Sequence, residues 1–253
     1  MNIKIIVATH KSYSMPDDPV YFPLQVGAAL NSPLEYPGDN TGDNISTKNK
    51  NFCELTALYW AWKNLQCDYL GLCHYRRYFA GKFAFDKFQR IAVAADYQEL
   101  LKDVPCILPP ERNYLIESNY SQYINAHHRI DLDTTEMIIS EKCPEFLDAY
   151  RRVMSSTRGH RFNMFVMRKD IFDDYCKWLF EILFELEKRL DISEYSTYDA
   201  RVFGFVGERL LDVYLTQKKI AYRTMPVVHL ESQKWGRKIC NFLKRKFCPG
   251  SKK

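Results

Sequence analysis

The chain carries 8 cysteines, but no two stand at Cys-x-x-Cys spacing. That argues against a structural zinc site. It fits reduced thiols in a cytosolic protein, several of them, such as Cys73 and Cys176, inside apolar patterns. No apolar stretch reaches the roughly 18 residues that a membrane-crossing helix needs. The opening run Ile3 to Ala8 is too short for a secretory signal and is broken by Lys4. Internal repeats and low-complexity stretches are lacking as well. Acidic residues are missing from one place in particular. Residues 234 to 253 hold Lys234, Arg237, Lys238, Lys244, Arg245, Lys246, Lys252 and Lys253 but no acid. The remaining residues 1 to 233 carry 28 basic and 31 acidic side chains, net −3. A nucleic-acid binder would spread its positive charge over the body, so no nucleic-acid partner is expected.

What is present is enough for a real core. The chain has 253 residues, 46% of them apolar and 15% aromatic. This predicts one large domain over 1–233 and a separate basic tail over 234–253. In the tail Trp235, Ile239, Phe242, Leu243 and Phe247 interleave with the cations. That pattern fits an amphipathic helix on an anionic membrane surface, with RNA binding or simple solubilisation as the other readings.

Along the body, β-rich and helical patterns alternate, which predicts an α/β fold with a mixed, mostly parallel sheet flanked by helices. Strands are expected over Ile3–Ala8, Tyr69–Cys73, Val104–Leu108, Phe162–Met167 and Ala221–Leu230. Helices are expected over Phe52–Leu65, within 86–103, over Glu136–Met154 with a break near Pro144, and over Ile171–Leu190. The last carries an apolar stripe through Phe172, Cys176, Leu179, Leu183, Leu186 and Leu190. Phe203 to Gly207 reads as a glycine-punctuated turn, with Glu208 opening a helix over Arg209–Thr216. Residues 12–51 form a long loop with turn signals, of the kind that is usually functional.

The chemistry centres on His74-Tyr75-Arg76-Arg77-Tyr78. It follows a short apolar strand, where open α/β sheets bind ligands. Guanidinium groups take phosphate in bidentate fashion and stay charged, so Arg76 and Arg77 suit a diphosphate, although structural ion pairing is an equal alternative. His10 and Lys11 follow the first strand and are candidates for the same ligand. Asp39, Asp43, Asn44 and Asn51 could bind sugar hydroxyls or serve as turn and cap residues. Trp60 and Trp62 are neighbours, so one of them is expected at a cleft. Glu208 is the preferred general base, favoured by its place at a helix start, with Asp199 second. Ordinary pairing of Glu208 with Arg201 or Arg209 is the competing reading. Asn163 could touch an acceptor. Asp131 and Asp133, near His127 and His128, could hold manganese or magnesium, or be common solvated turn residues.

Several blocks together resemble a known family. They are Asp-Asn-Thr-Gly-Asp-Asn-Ile-Ser (39–46), Lys-Asn (48–49), the run from Cys53 to Asn64, Gly-Leu-Cys-His-Tyr-Arg-Arg-Tyr-Phe (71–79), Asn-Met-Phe-Val-Met (163–167) and the run from Arg201 to Leu211. The resemblance, over about residues 3–230, is to the bacterial capsular and exopolysaccharide synthesis proteins of uncharacterised-domain family 4422. It implies a GT-A-like nucleotide-sugar fold and a glycosyltransferase, with galactofuranose transfer from a UDP donor among its members. The implied acceptor is a lipid-linked glycan and the implied place is the cytoplasmic face of the plasma membrane. His74, Arg76, Arg77 and Glu208 carry over by motif position. The matching blocks contain no dependable Asp-x-Asp motif, so metal dependence stays open. A glycoside hydrolase and a non-catalytic carbohydrate- or RNA-binding module remain the alternatives.

Overall fold

A computed structural model describes residues 1–231. The basic tail, with its expected helix and the Gln233/Lys234 boundary, lies outside the described residues. In chain order the elements are β1 (Ile3–Thr9), β2 (Tyr21–Gln25), α1 (Asn49–Phe52), α2 (Leu55–Asn64), β3 (Tyr69–His74), β4 (Arg77–Phe79), α3 (Ala94–Leu100), β5 (Cys106–Leu108) and β6 (Arg112–Asn113). Then follow α4 (Asn119–Ile124), α5 (Arg129–Lys142), α6 (Leu147–Ser155), β7 (Arg158–Gly159), β8 (Phe165–Arg168), α7 (Lys169–Arg189), α8 (Val202–Lys218), β9 (Arg223–Thr224) and β10 (Val227–His229).

Eight strands form one mixed sheet, and β6 with β7 forms a small separate pair. The core of the sheet is β3, which runs parallel to β1 on one side and antiparallel to β8 on the other. Parallel β2 extends β1, while β5 and β9 extend β8. At its far end β3 folds back into β4 through Tyr75 and Arg76, with His74 opposite Arg77, and β10 pairs with β4. Only β4 and β8 run against the common direction, so the sheet is mostly parallel.

The continuous apolar character of β1 and β3 reflects burial on both faces. Successive side chains alternate across the sheet. Ile6, Ala8, Leu70, Leu72, Phe165 and Met167 enter a large core with the helices, while Ile5, Val7, Cys73 and Val166 enter a second core with Tyr78, Phe79 and Tyr97. Helix α7 buries Phe172, Cys176, Leu179, Leu183 and Leu186 of the stripe read from its spacing, while Leu190 caps its end half-buried.

Three helix boundaries differ from the sequence reading. The helix expected from Phe52 is split, because Cys53 adopts φ 53° and Asn49 donates its side-chain amide to the Cys53 carbonyl at 2.7 Å. The 203–207 stretch is not a turn; α8 begins at Val202 and runs through it. Its glycines serve close packing instead. A Cβ on Gly204 would stand 3.2 Å from Cys53, and one on Gly207 would stand 2.7 Å from Leu55. Glu208 is therefore inside the helix, beyond the first turn where the dipole acts. Asp131 and Asp133 lie in helix α5, not in a solvated turn. The expected strand over Ala221–Leu230 is two short strands in different parts of the sheet, β9 and β10.

The long 12–51 loop is organised by one buried side chain. Asp39 is fully buried. One carboxylate oxygen accepts from the Gly27 amide at 3.0 Å and the Thr56 hydroxyl at 2.6 Å. The other accepts from the Ala28 amide at 3.0 Å and from the Ser46 hydroxyl. Asp39 thus takes the structural alternative, tying the loop to α2. Trp60 stacks on Phe22 and Trp62 on Phe180, and neither lines the cleft at the carboxyl end of β3. Replacing Asp39 with Ala strands several buried donors, and urea unfolding is expected to show a loss of about 3 kcal/mol. A loss below about 1 kcal/mol would mean that the loop is held by other contacts.

Candidate active site

The carboxyl end of β3 opens into a cleft of about 520 Å³. His74 and the Tyr75–Arg77 segment form one wall, residues 49–54 a second, and the first turns of α8 a third. Arg76 occupies the hairpin turn and Arg77 the first position of β4, so the two guanidinium groups leave the backbone on either side of a sharp bend.

Phe162 closes the floor, with Asn163 beneath it. Both have left-handed backbones, φ 80° and φ 51°, although neither is glycine. Three side chains hold them. Glu208 accepts the Phe162 amide at 2.6 Å, and the Phe162 carbonyl bonds His74 Nε2 at 2.7 Å. Since a carbonyl can only accept, Nε2 carries the hydrogen. Asn163 Nδ2 donates to Glu54 Oε1 at 2.7 Å. Arg77 lies over the Phe162 ring, 4.4 Å from its centroid.

The charge of the cleft is unbalanced. Lys50, Arg76, Arg77 and Arg201 line it against two carboxylates, Glu54 and Glu208. Both carboxylates are already engaged with the floor, and Glu208 also meets Arg209 at 3.3 Å, the pairing foreseen as its competing role. Arg76 reaches Glu231 at the rim, 3.2 Å away. Arg201 donates to the Cys53 sulfur at 3.1 Å and lies over the Phe205 ring. Arg77 has no carboxylate within ion-pairing distance among the described residues. Burial, then the Arg76 charge, lowers its pKa. Burial also lowers the pKa of His74, with Arg77 acting in the same direction against Glu54. His10, at the rim, is lowered by desolvation first and then by Arg76, Lys11 and Arg201. Burial, reinforced by Glu54, pushes the Cys53 thiol up to about 11, so it is not a ready nucleophile.

The structure gathers His10, His74, Arg76, Arg77 and Glu208 from the sequence candidates around this cleft. Lys11 stands just outside, near Glu231 and over the Tyr75 ring. Asn163 is buried beneath the floor. Asp199 accepts from His127 at 3.1 Å, and the His127 ring stacks on Phe205, which places this pair one layer behind the cleft wall. Asp43 and Asn44 are not at the cleft; Asp43 accepts from Tyr59 and Asn44 bonds within its own turn. Glu54, Lys50 and Arg201 are the charged cleft residues that pattern reading did not single out as ligand-binding. Glu54 lay inside an expected helix and Arg201 beside an expected turn, where nothing local distinguishes them.

Asp131 and Asp133 do not fit a metal. Two residues apart on a helix, they point to different sides. Asp131 is buried and accepts from Tyr123 at 2.8 Å and Tyr195 at 2.7 Å. Asp133 accepts from Tyr120 at 2.7 Å and Arg129 at 3.0 Å. No group of three His, Cys, Asp or Glu side chains among the described residues is placed to hold an ion.

The chain belongs to the family described as Domain of unknown function (DUF4422), whose model matches residues 4–219. A solved structure described as the apo form of WbbM, a bifunctional glycosyltransferase, is similar over 92% of this chain, with a TM-score of 0.85 and 31% identity. The chain spans 46% of the length of that protein. The shared architecture is a GT-A-like α/β fold. A comparison with curated proteins found no match.

The burial of His74, which outweighs its bond to the Phe162 carbonyl, makes a pH prediction. With its folded-state pKa depressed, neutral His74 contributes stability that is fully present above the unfolded value of about 6.5 and is lost as pH falls through the folded value. Urea unfolding of the native protein should therefore weaken between about pH 7.5 and about pH 5.5, and His74→Gln should flatten part of that slope. An unchanged slope in the variant would remove His74 from the account.

Proposed function

We propose that this chain is a glycosyltransferase that moves a sugar, galactofuranose among the candidates, from a UDP-sugar to a lipid-linked oligosaccharide. The product would be a capsular polysaccharide, exopolysaccharide or O-antigen, made at the inner face of the plasma membrane. The observation that carries the reading is Arg77, a half-buried guanidinium with no carboxylate partner among the described residues, in a cleft lined by four cations and two carboxylates. Such a site favours an anion. Family membership and the glycosyltransferase neighbour support sugar transfer as the chemistry.

In this reading Arg76 and Arg77 neutralise the diphosphate as it leaves, with Lys50 and Arg201 adding charge from the facing walls. Stabilising the leaving group is the main task when a hydroxyl attacks the anomeric carbon through a cation-like state. His74, neutral and donating to Phe162, holds the floor under that ligand. Glu208 is the base that removes the acceptor proton if the reaction inverts. It lines the cleft, and its Oε2 makes only the longer contact to Arg209. Glu54 is the second carboxylate within the cleft, and its Oε1 is the atom held by Asn163. Asp199, behind the wall, positions His127 and Phe205. The basic tail would hold the enzyme near its lipid-linked acceptor.

A thermal-shift series with UDP, GDP and CMP tests the donor. UDP at about 100 times its dissociation constant should stabilise by about 2.7 kcal/mol, a shift of roughly 5 to 10 °C. The shift should survive EDTA, and Arg76→Ala and Arg77→Ala should each weaken UDP at least about tenfold. Near-native affinity in both variants, or a strict need for manganese, would overturn the arginine-based diphosphate site. Glu208→Gln should retain the UDP shift and lose turnover. If Glu54→Gln alone does so, the base is Glu54.

A further inference from the structure

Between Phe79 and Ala92 the chain makes a closed excursion away from the sheet. The Gly81 amide donates to the Arg90 carbonyl at 2.9 Å, and the Ala92 amide to the Phe79 carbonyl at 2.9 Å, so the base is pinned. Asp86 accepts from the Phe88 and Gln89 amides at 2.7 and 3.1 Å, which fixes the far side, and Phe88 packs on the core. The loop is thus built, yet it turns two aromatic rings outward. Phe85 is 99% exposed and Phe83 78% exposed, and they meet edge to face at 5.7 Å. Lys82, Lys87 and Arg90 flank them in the sequence, Arg90 lying over the Phe83 ring, with Asp86 as the loop's acid. Single exposed apolar side chains are common, but a contacting aromatic pair on a pinned basic loop is not accounted for by packing.

We propose that this loop is an anionic-lipid contact, inserting Phe83 and Phe85 among the headgroups while Lys82, Lys87 and Arg90 meet the lipid phosphates. Aromatic rings with flanking cations suit that interface. Position supports the assignment. Lys87 reaches the Leu230 carbonyl at 3.5 Å, and the Leu230 amide donates to the Arg76 carbonyl at 3.1 Å. The loop therefore sits beside the rim of the cleft. It also sits beside the point from which the sequence leads into its cation-rich tail. The contact is separate from the one expected of the tail, because its rings lie on the loop between Phe79 and Ala92.

Vesicle flotation of the full chain tests it, with phosphatidylcholine alone and with added phosphatidylglycerol. The native protein should float with anionic vesicles and keep part of that binding at about 0.5 M salt, where charge is screened to about 4 Å. Phe83→Ser with Phe85→Ser should lower the salt-resistant fraction at least about tenfold, with unchanged thermal unfolding. Lys82→Gln should weaken binding mainly at low salt. Equal salt-resistant binding in the double variant would overturn the proposal and leave the tail as the whole contact. So would absence of vesicle binding by the native chain. A native dimer that the double variant dissociates in sedimentation would assign the rings to a second copy instead.

Discussion

The cleft depends on the conformation of Phe162 and Asn163. Two successive side-chain-bearing residues with positive φ cost roughly 1–2 kcal/mol each relative to ordinary backbone. A hydrogen bond to a charged group contributes about 1.5–3 kcal/mol, so the bond from Glu208 and that between Asn163 and Glu54 can offset the strain, with His74 adding a third hold. These three side chains come from α8, from the residue just before α2, and from the end of β3. The turn is therefore where three distant pieces of chain are locked into register. It also explains why carboxylates stand in a site otherwise dominated by cations, since each is first a backbone or amide partner.

Asp39 plays the corresponding part for the wall that faces the arginines. By gathering the amides of Gly27 and Ala28 with the hydroxyls of Ser46 and Thr56, it turns a long loop into a fixed surface. Gly27 has φ 64°, and a Cβ there would meet the Asn49 side chain at 2.7 Å. Asn49 in turn holds the Cys53 carbonyl. The chain of contacts thus runs from a buried carboxylate to the residues beside Glu54.

Much of the fold was legible because strand alternation and helix periodicity are local. Ile3 to Ala8, Tyr69 to Cys73 and the α7 stripe could be read from burial patterns alone. The failures share a cause. Gly204 and Gly207 looked like turn residues, since glycine's meaning depends on its neighbour in space, here Cys53 and Leu55. Cys53 broke a helix that its own sequence favoured. The arginines were legible because they follow a strand, whereas Glu54 and Arg201 gain their meaning only from tertiary pairing. Asp131 and Asp133 showed the reverse. A suggestive spacing was absorbed by tyrosines arriving from α4 and from the segment before α8.

The antiparallel strand β8 sits between β3 and β5, and Leu72 finds Phe165 only after a long intervening stretch of chain has been made. As the polypeptide emerges from the ribosome, β1, β2 and β3 can pair while one side of β3 still offers unpaired amides and carbonyls. An apolar edge left open in this way invites wrong partners. The order of synthesis thus gives the nascent molecule a vulnerable interval. The same late segment that seals it, Phe162 to Met167, also lays down the floor of the cleft, so the site forms only once the sheet's exposed edge has been closed.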